Sequence, residues 1–201
     1  MSMEEPQVRA NWLKLVIHSA KRAPEPVGSS ILTRVSDDLR REIRVSGRLA
    51  WLPATRFVEV TDAIVGALGM EGGRGFWRQM MRLAIDVPFM RPLLNGALFL
   101  WGDTPAGLVR RTPQAWHLVA RHCGDFKAVE VNEPNAIIFR SDNVVPLFRA
   151  PSLVPMWEGG LEAEIDWVGV VGSVETRADK LASRGSVEFF VRWTPKIPLV
   201  R

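Results

Sequence analysis

The chain has 201 residues, with 26 Lys and Arg against 22 Asp and Glu for a formal charge of +4, and 47% of its residues are hydrophobic. That content fits one sizeable core, and the length is ordinary for a single domain. Eight Trp and nine Phe stand against no Tyr, which excludes any mechanism that needs a phenol, and Cys123 alone excludes an internal disulfide or a multi-thiolate metal site.

Residues 1–125 hold 17 Lys and Arg against 12 Asp and Glu, while residues 126–201 hold 9 against 10. No block of five or six basic residues tracks a phosphate backbone, so nucleic acid is not an expected partner. The acidic start Met-Ser-Met-Glu-Glu-Pro is unlike a signal peptide, and no apolar run approaches the ~20 residues of a membrane span. A reducing cytoplasm is the expected location, with no membrane span.

Val8, Trp12, Leu15 and Val16 predict a first helix, which Ala23-Pro24-Glu25-Pro26 ends because proline lacks an amide donor. Leu32, Val35, Leu39 and Ile43 predict a second, capped by Ser29 or Ser30 and closed at Ser46-Gly47. After Leu52-Pro53-Ala54, the residues Phe57, Thr61, Ile64 and Leu68 share one face, and Gly69 offers the left-handed residue that ends helices. Phe76, Trp77, Met80, Met81, Leu83 and Ala84 continue the helical period to Pro88, and Leu93 to Trp101 repeat it. Thr104-Pro105 and Thr112-Pro113 each read as a cap followed by proline at the first helical position. They predict a short helix, then a longer one whose stripe is Trp116, Val119, Ala120 and Cys123, ending at Gly124.

Beyond Gly124 the period changes. Lys127 to Val131 and Ala136 to Arg140 flank Asn132-Glu133-Pro134-Asn135, a hairpin signature. Pro151-Ser152 opens a helix carrying Met156, Trp157, Leu161, Ile165 and Val168. A second hairpin joins about Val170–Thr176 to Val187–Trp193, where Val187, Phe189, Val191 and Trp193 alternate onto one face. The expected class is α+β: a mainly helical portion over 1–124, packed on a small antiparallel sheet of about four strands in β-β-α-β-β order over 125–194, then a tail over 195–201, all in a single domain.

Several short stretches carry a family resemblance: Arg48-Leu49-Ala50-Trp51-Leu52-Pro53-Ala54, Ala67-Leu68-Gly69, Asp103-Thr104-Pro105 through Pro113-Gln114-Ala115-Trp116, Trp157-Glu158-Gly159-Gly160-Leu161-Glu162 and the closing Val187 to Trp193. Together they resemble a myxobacterial paralogous family of about this chain's length. That family is similar to the ligand-binding superfamily of haem nitric-oxide sensors, 4-vinyl-reductase domains and a vesicle-tethering subunit. The resemblance implies an apolar pocket between helices and sheet, or pairing through the helices. Haem sensors of that superfamily clasp the haem propionates with Tyr-x-Ser-x-Arg, which a chain without tyrosine does not supply. The cysteines that 4-vinyl-reductase-type domains carry near the final hairpin are also missing, where this chain has Glu175, Lys180 and Val187. No cofactor and no metal site is therefore expected.

His117 and His122, five apart on the predicted helix, would point about 140° apart and not share one ion. His18 lacks a carboxylate at helical spacing, and Cys123 falls on the apolar stripe. No nucleophile elbow and no phosphate loop ending in Lys-Ser or Lys-Thr is present, and Glu71-Gly72-Gly73-Arg74-Gly75 reads as a helix-entry turn, so the chain reads as non-enzymatic. Arg74, Arg78 and Arg82 repeat every four residues as candidates for an anion or acidic partner, or form a solvated face with Arg82 paired to Asp86. Glu158, Glu162 and Asp166 form an acidic row of equal pitch, read as surface carboxylates, and the two rows suggest docking between copies in a salt-sensitive homodimer.

Trp77, Met81, Phe99, Trp101, Trp116, Phe139 and Phe189 are candidates to line a pocket for a flat or fatty ligand, although core packing explains them equally. The resulting expectation is a non-catalytic sensory or ligand-binding domain enclosing an apolar small molecule. The alternative is a protein-interaction module, acting as homodimer or adaptor in bacterial signalling.

Overall fold

In the computed structural model, residues 5–84 and 104–194 are described. Strand β1 (Gln7–Arg9) is too short to stand alone and is completed by two distant segments, β2 (Trp51–Pro53) and β3 (Ala120–Arg121), in the antiparallel order β2-β1-β3. Alternation turns Val8, Leu52 and Ala120 inward and leaves Gln7, Arg9, Trp51 and Arg121 on the outer face. This sheet was not expected, and it claims Val8 and Ala120 from the predicted helices.

Helix α1 (Ala10–Arg22) buries Leu13, Val16, Ile17 and Ala20. The single helix expected next is two, α2 (Val27–Leu32) and α3 (Asp37–Val45). Ser36, not Ser29 or Ser30, caps α3 by accepting from the Leu39 amide at 3.3 Å, and Asp37 and Asp38 suit the positive end of its first turn. Helix α4 (Thr55–Ala84) bends at Gly69, whose φ of 71° only glycine adopts freely, and then continues. The stretch Glu71 to Gly75, expected as a turn, is helical. The helix expected over Leu93 to Trp101 lies outside the described residues.

Thr104 caps the short α5 (Pro105–Val109) by accepting from the Gly107 amide at 3.2 Å. Helix α6 (Thr112–Val119) stops earlier than its apolar stripe suggested, because Ala120 pairs with Val8 and His122 takes φ 57°. Cys123 is therefore buried from an irregular segment rather than a helix face.

The expected hairpins form one antiparallel sheet from β4 (Lys127–Glu130), β5 (Ala136–Ser141), β6 (Gly172–Arg177) and β7 (Val187–Trp193), ordered β4-β5-β7-β6. Register sets Phe139 against Phe189, and Val191 against Ile137 and Val174, so these side chains make the buried face. Val187 is buried with them, whereas Trp193 is half-buried. Two 3-10 turns, Pro146–Arg149 and Pro151–Leu153, lead into α7 (Val154–Trp167), and the short α8 (Leu181–Arg184) lies between β6 and β7.

Helix α7 occupies the centre, packed along α4 on one side and against β6 and β7 on the other. Gly159 permits the close crossing with α4, since a Cβ there would stand 2.7 Å from the Arg78 amide nitrogen and 2.9 Å from the Trp77 Cβ. The architecture is the α+β arrangement expected, helices over a four-stranded sheet, with the small three-stranded sheet added.

Candidate functional site

Where α6 and α7 meet the four-stranded sheet, aromatic rings form a continuous network. Trp157 of α7 stands 4.6 Å from Trp116, 4.3 Å from Phe126, 5.3 Å from Phe139 and 6.5 Å from Phe189 between ring centres. Phe126 stacks on Phe139 at 4.8 Å with the planes 3° apart. From Trp116 the chain of rings continues through Phe148 and Phe57 to Trp77 and Phe76. Offset and edge-to-face pairs at such separations are favourable beyond the area that they bury.

At the sheet end of this network Phe126, Phe148, Leu153, Trp157, Leu181 and Phe189 surround a gap of about 10 Å³, the room of one water molecule. The indole N–H groups of Trp77 and Trp116 are buried without an acceptor. Unpaired buried donors are uncommon; among the described residues the indole N–H groups of Trp12 and Trp167 share this state, and of the four only those of Trp77 and Trp116 belong to the ring network.

Of the candidates expected from the sequence, Trp116, Phe139 and Phe189 come together here, and Phe189 borders the gap. Trp77 is fully buried at the far end of the network, and Met81 is half-buried beside the core. Phe99 and Trp101 lie outside the described residues. Sequence reading passed over Phe126 and Phe148, which sit in a connection and a 3-10 turn where no periodicity marks them. It placed Phe57 and Trp157 on helix faces without linking them to the sheet.

The two charged rows meet inside one chain. Arg74 donates to Glu162 and lies 3.9 Å from Glu158, while Arg78 makes a two-pronged contact with Asp166 at 2.8 and 2.7 Å. Arg82 stands 3.8 Å from Asp166, and its expected partner Asp86 is outside the described residues. The carboxylates are thus not a surface row, as Glu162 is buried and Glu158 and Asp166 are largely covered, and the docking expected between copies is satisfied between α4 and α7 instead. The Arg78 hydrogen bond holds the Asp166 carboxyl below its usual range, and the bond to Glu162 holds Arg74 above its own.

On another side of α7, Glu164 is buried. Thr112 donates to its Oε1 at 2.6 Å, Oε2 has no partner, and burial pushes the carboxyl up to about 7. The three histidines are all exposed; His117 lies 3.8 Å from Asp125. The Cys123 thiol donates to the carbonyls of Arg121 and Gln7, and burial raises it to about 12. Among the described residues no three His, Cys, Asp or Glu side chains gather as a metal site, and no helix is long and apolar enough to cross a membrane.

No family profile matches the chain, and no curated protein matches it in sequence. Solved structures do match its fold. The iron(II) unliganded H-NOX protein of K. algicida superposes with a TM-score of 0.64 at 8% identity, over 94% of this chain and 98% of that one. An H-NOX protein of S. oneidensis in the iron(II) state gives 0.63 at 10% identity over 96% and 100%. A variant of T. tengcongensis H-NOX gives 0.59 at 12% over 94% and 100%. At such identities the likeness is one of fold: the chain has the architecture of the haem nitric-oxide and oxygen-binding domains along nearly its whole length.

Proposed function

We propose that the chain is a non-catalytic sensory domain that holds an apolar small molecule at the seam between α6, α7 and the four-stranded sheet. The observation that carries this reading is the aromatic network at that seam, with a gap beside Trp157 and Phe189 and the unpaired indole N–H of Trp116, inside the architecture of the solved H-NOX structures.

Haem, which the fold family implies, does not fit the described residues. His18, His117 and His122 are all on the surface, so none offers an axial nitrogen to the interior. Cys123, held as a thiol by burial and bonded to two backbone carbonyls, is a poor source of a thiolate ligand. Trp116, Phe126, Phe139, Trp157 and Phe189 fill the seam themselves. A ligand of this domain is therefore an apolar molecule that shares space with the rings, admitted when Trp157 or a neighbouring ring turns.

Titration with the flat apolar dye 1-aminoanthracene, followed by quenching of tryptophan emission, tests this reading. Saturable binding of one dye per chain is expected, tighter in Leu181→Ala, which widens the gap, and weaker in Leu181→Phe, which fills it. Identical or absent quenching in all three proteins would remove the seam as the binding place.

A further inference from the structure

We infer that the outer face of the β2-β1-β3 sheet is a docking surface for an acidic segment of a partner protein that bears a leucine-like side chain among its carboxylates. On this face the guanidinium carbons of Arg9 and Arg121 stand 3.9 and 4.5 Å from the centre of the Trp51 ring. Strand register sets Arg9 opposite Trp51 and Arg121 opposite Gln7, so two cations and one indole share a single outward side.

Both heads are held in place. Arg9 donates through Nε to the Leu118 carbonyl at 3.4 Å and through Nη1 to the Leu49 carbonyl, and Arg121 donates through Nε to Gln7 Oε1 at 2.7 Å. Neither meets a carboxylate among the described residues. Nor, among the described residues, do Lys14 of α1, Arg44 of α3 or Arg48 of the turn before β2, for Lys14 spends its ammonium on the carbonyls of Arg44 and Ser46 at 3.2 and 2.6 Å.

The other sheet supplies the contrast. On its outer face Phe190 lies under Arg177 and Arg192 at 4.6 and 5.1 Å, but there Arg192 is closed by Glu133 at 2.9 Å and Glu175 at 3.0 Å. Around Trp51 no carboxylate of the described residues closes the same arrangement. Two like charges gathered at one ring repel each other, and a carboxylate between them relieves the repulsion with the forked geometry that guanidinium favours. Leu49 and Leu118, whose carbonyls anchor Arg9, are 78% and 73% exposed and flank the cations with apolar surface. Arginines fixed on a short sheet suit a peptide carboxylate, whereas attachment to an anionic bilayer is typically made by clustered basic side chains on an amphipathic helix or next to a span. The inference stands apart from the ligand at the seam.

The test is fluorescence anisotropy at low salt with a labelled peptide Glu-Leu-Glu-Glu-Leu-Glu, its Gln-for-Glu counterpart, and sedimentation with phosphatidylglycerol vesicles. The acidic peptide is expected to bind saturably and its affinity to fall at least tenfold in Arg9→Gln/Arg121→Gln, while Arg177→Gln leaves it unchanged and the Gln peptide does not bind. Arg121→Gln alone, which among the described residues gives up its contacts with Gln7 and Trp51, keeps the comparison available if the double variant fails to fold. Equal binding by wild type and variant, no binding by wild type, or vesicle sedimentation that the arginine variants abolish would each overturn the inference.

Discussion

Glu164 is buried with its Oε2 unpaired, and one hydroxyl, that of Thr112, supports it. Its carboxyl titrates at about 7 in the folded chain against an ordinary value of 4.5, so between those pH values the folded state binds a proton that the unfolded state does not. Stability from this residue is complete below pH 4.5 and is lost as pH rises to 7, by up to about 3 kcal/mol, because the charged carboxylate must be held in an apolar setting. Glu164→Gln removes the titration. Urea unfolding at pH 5 and pH 8 is expected to show a marked loss for the wild type at the higher pH and a much smaller one for the variant; parallel losses would mean that Glu164 is not the titrating group. None of this was legible in the sequence, where Glu158, Glu162, Glu164 and Asp166 look alike. Which of them is sealed depends on α5 and α6 folding over one side of α7, and those helices are some 50 residues away in the chain.

At the scale of elements, the pairing of α4 with α7 organises the molecule. Backbone atoms of Arg74 and Arg78 close over Gly159, so a methyl group there has no space. Gly159→Ala is expected to cost about 1–3 kcal/mol, the usual range for overpacking, less any gain from alanine's better helix propensity. A shift of the urea midpoint reads this directly, and an unchanged midpoint would show that the helices can part at little cost. The long strands were legible because one apolar face gives a clean period of two, as in Val187, Phe189 and Val191. Strands β1, β2 and β3 were not, because two or three residues cannot display a period and their pairing joins segments more than 40 residues apart. The equal pitch of the arginine and acid rows was visible in the sequence. That they close on each other within one chain was not, since 88 residues separate Arg74 from Glu162.

Across the whole molecule, the fold is that of the solved H-NOX structures, and all three histidines of this chain lie on its surface. The absence of tyrosine could be read at once, and it removed one part of a haem site. The surface positions of all three histidines needed the fold: His117 and His122 were expected on one helix, and the second instead follows strand β3. Part of the ring network was likewise open to inspection, because Trp116, Phe139 and Phe189 stand on regular elements, whereas Phe126 and Phe148 enter from irregular segments that only tertiary packing brings inward. Native mass spectrometry of the protein freshly purified from haem-replete cells tests the account most directly. The predicted result is a chain carrying a small non-haem molecule that is lost on denaturation; a haem adduct, or a bare chain in every preparation, would contradict it.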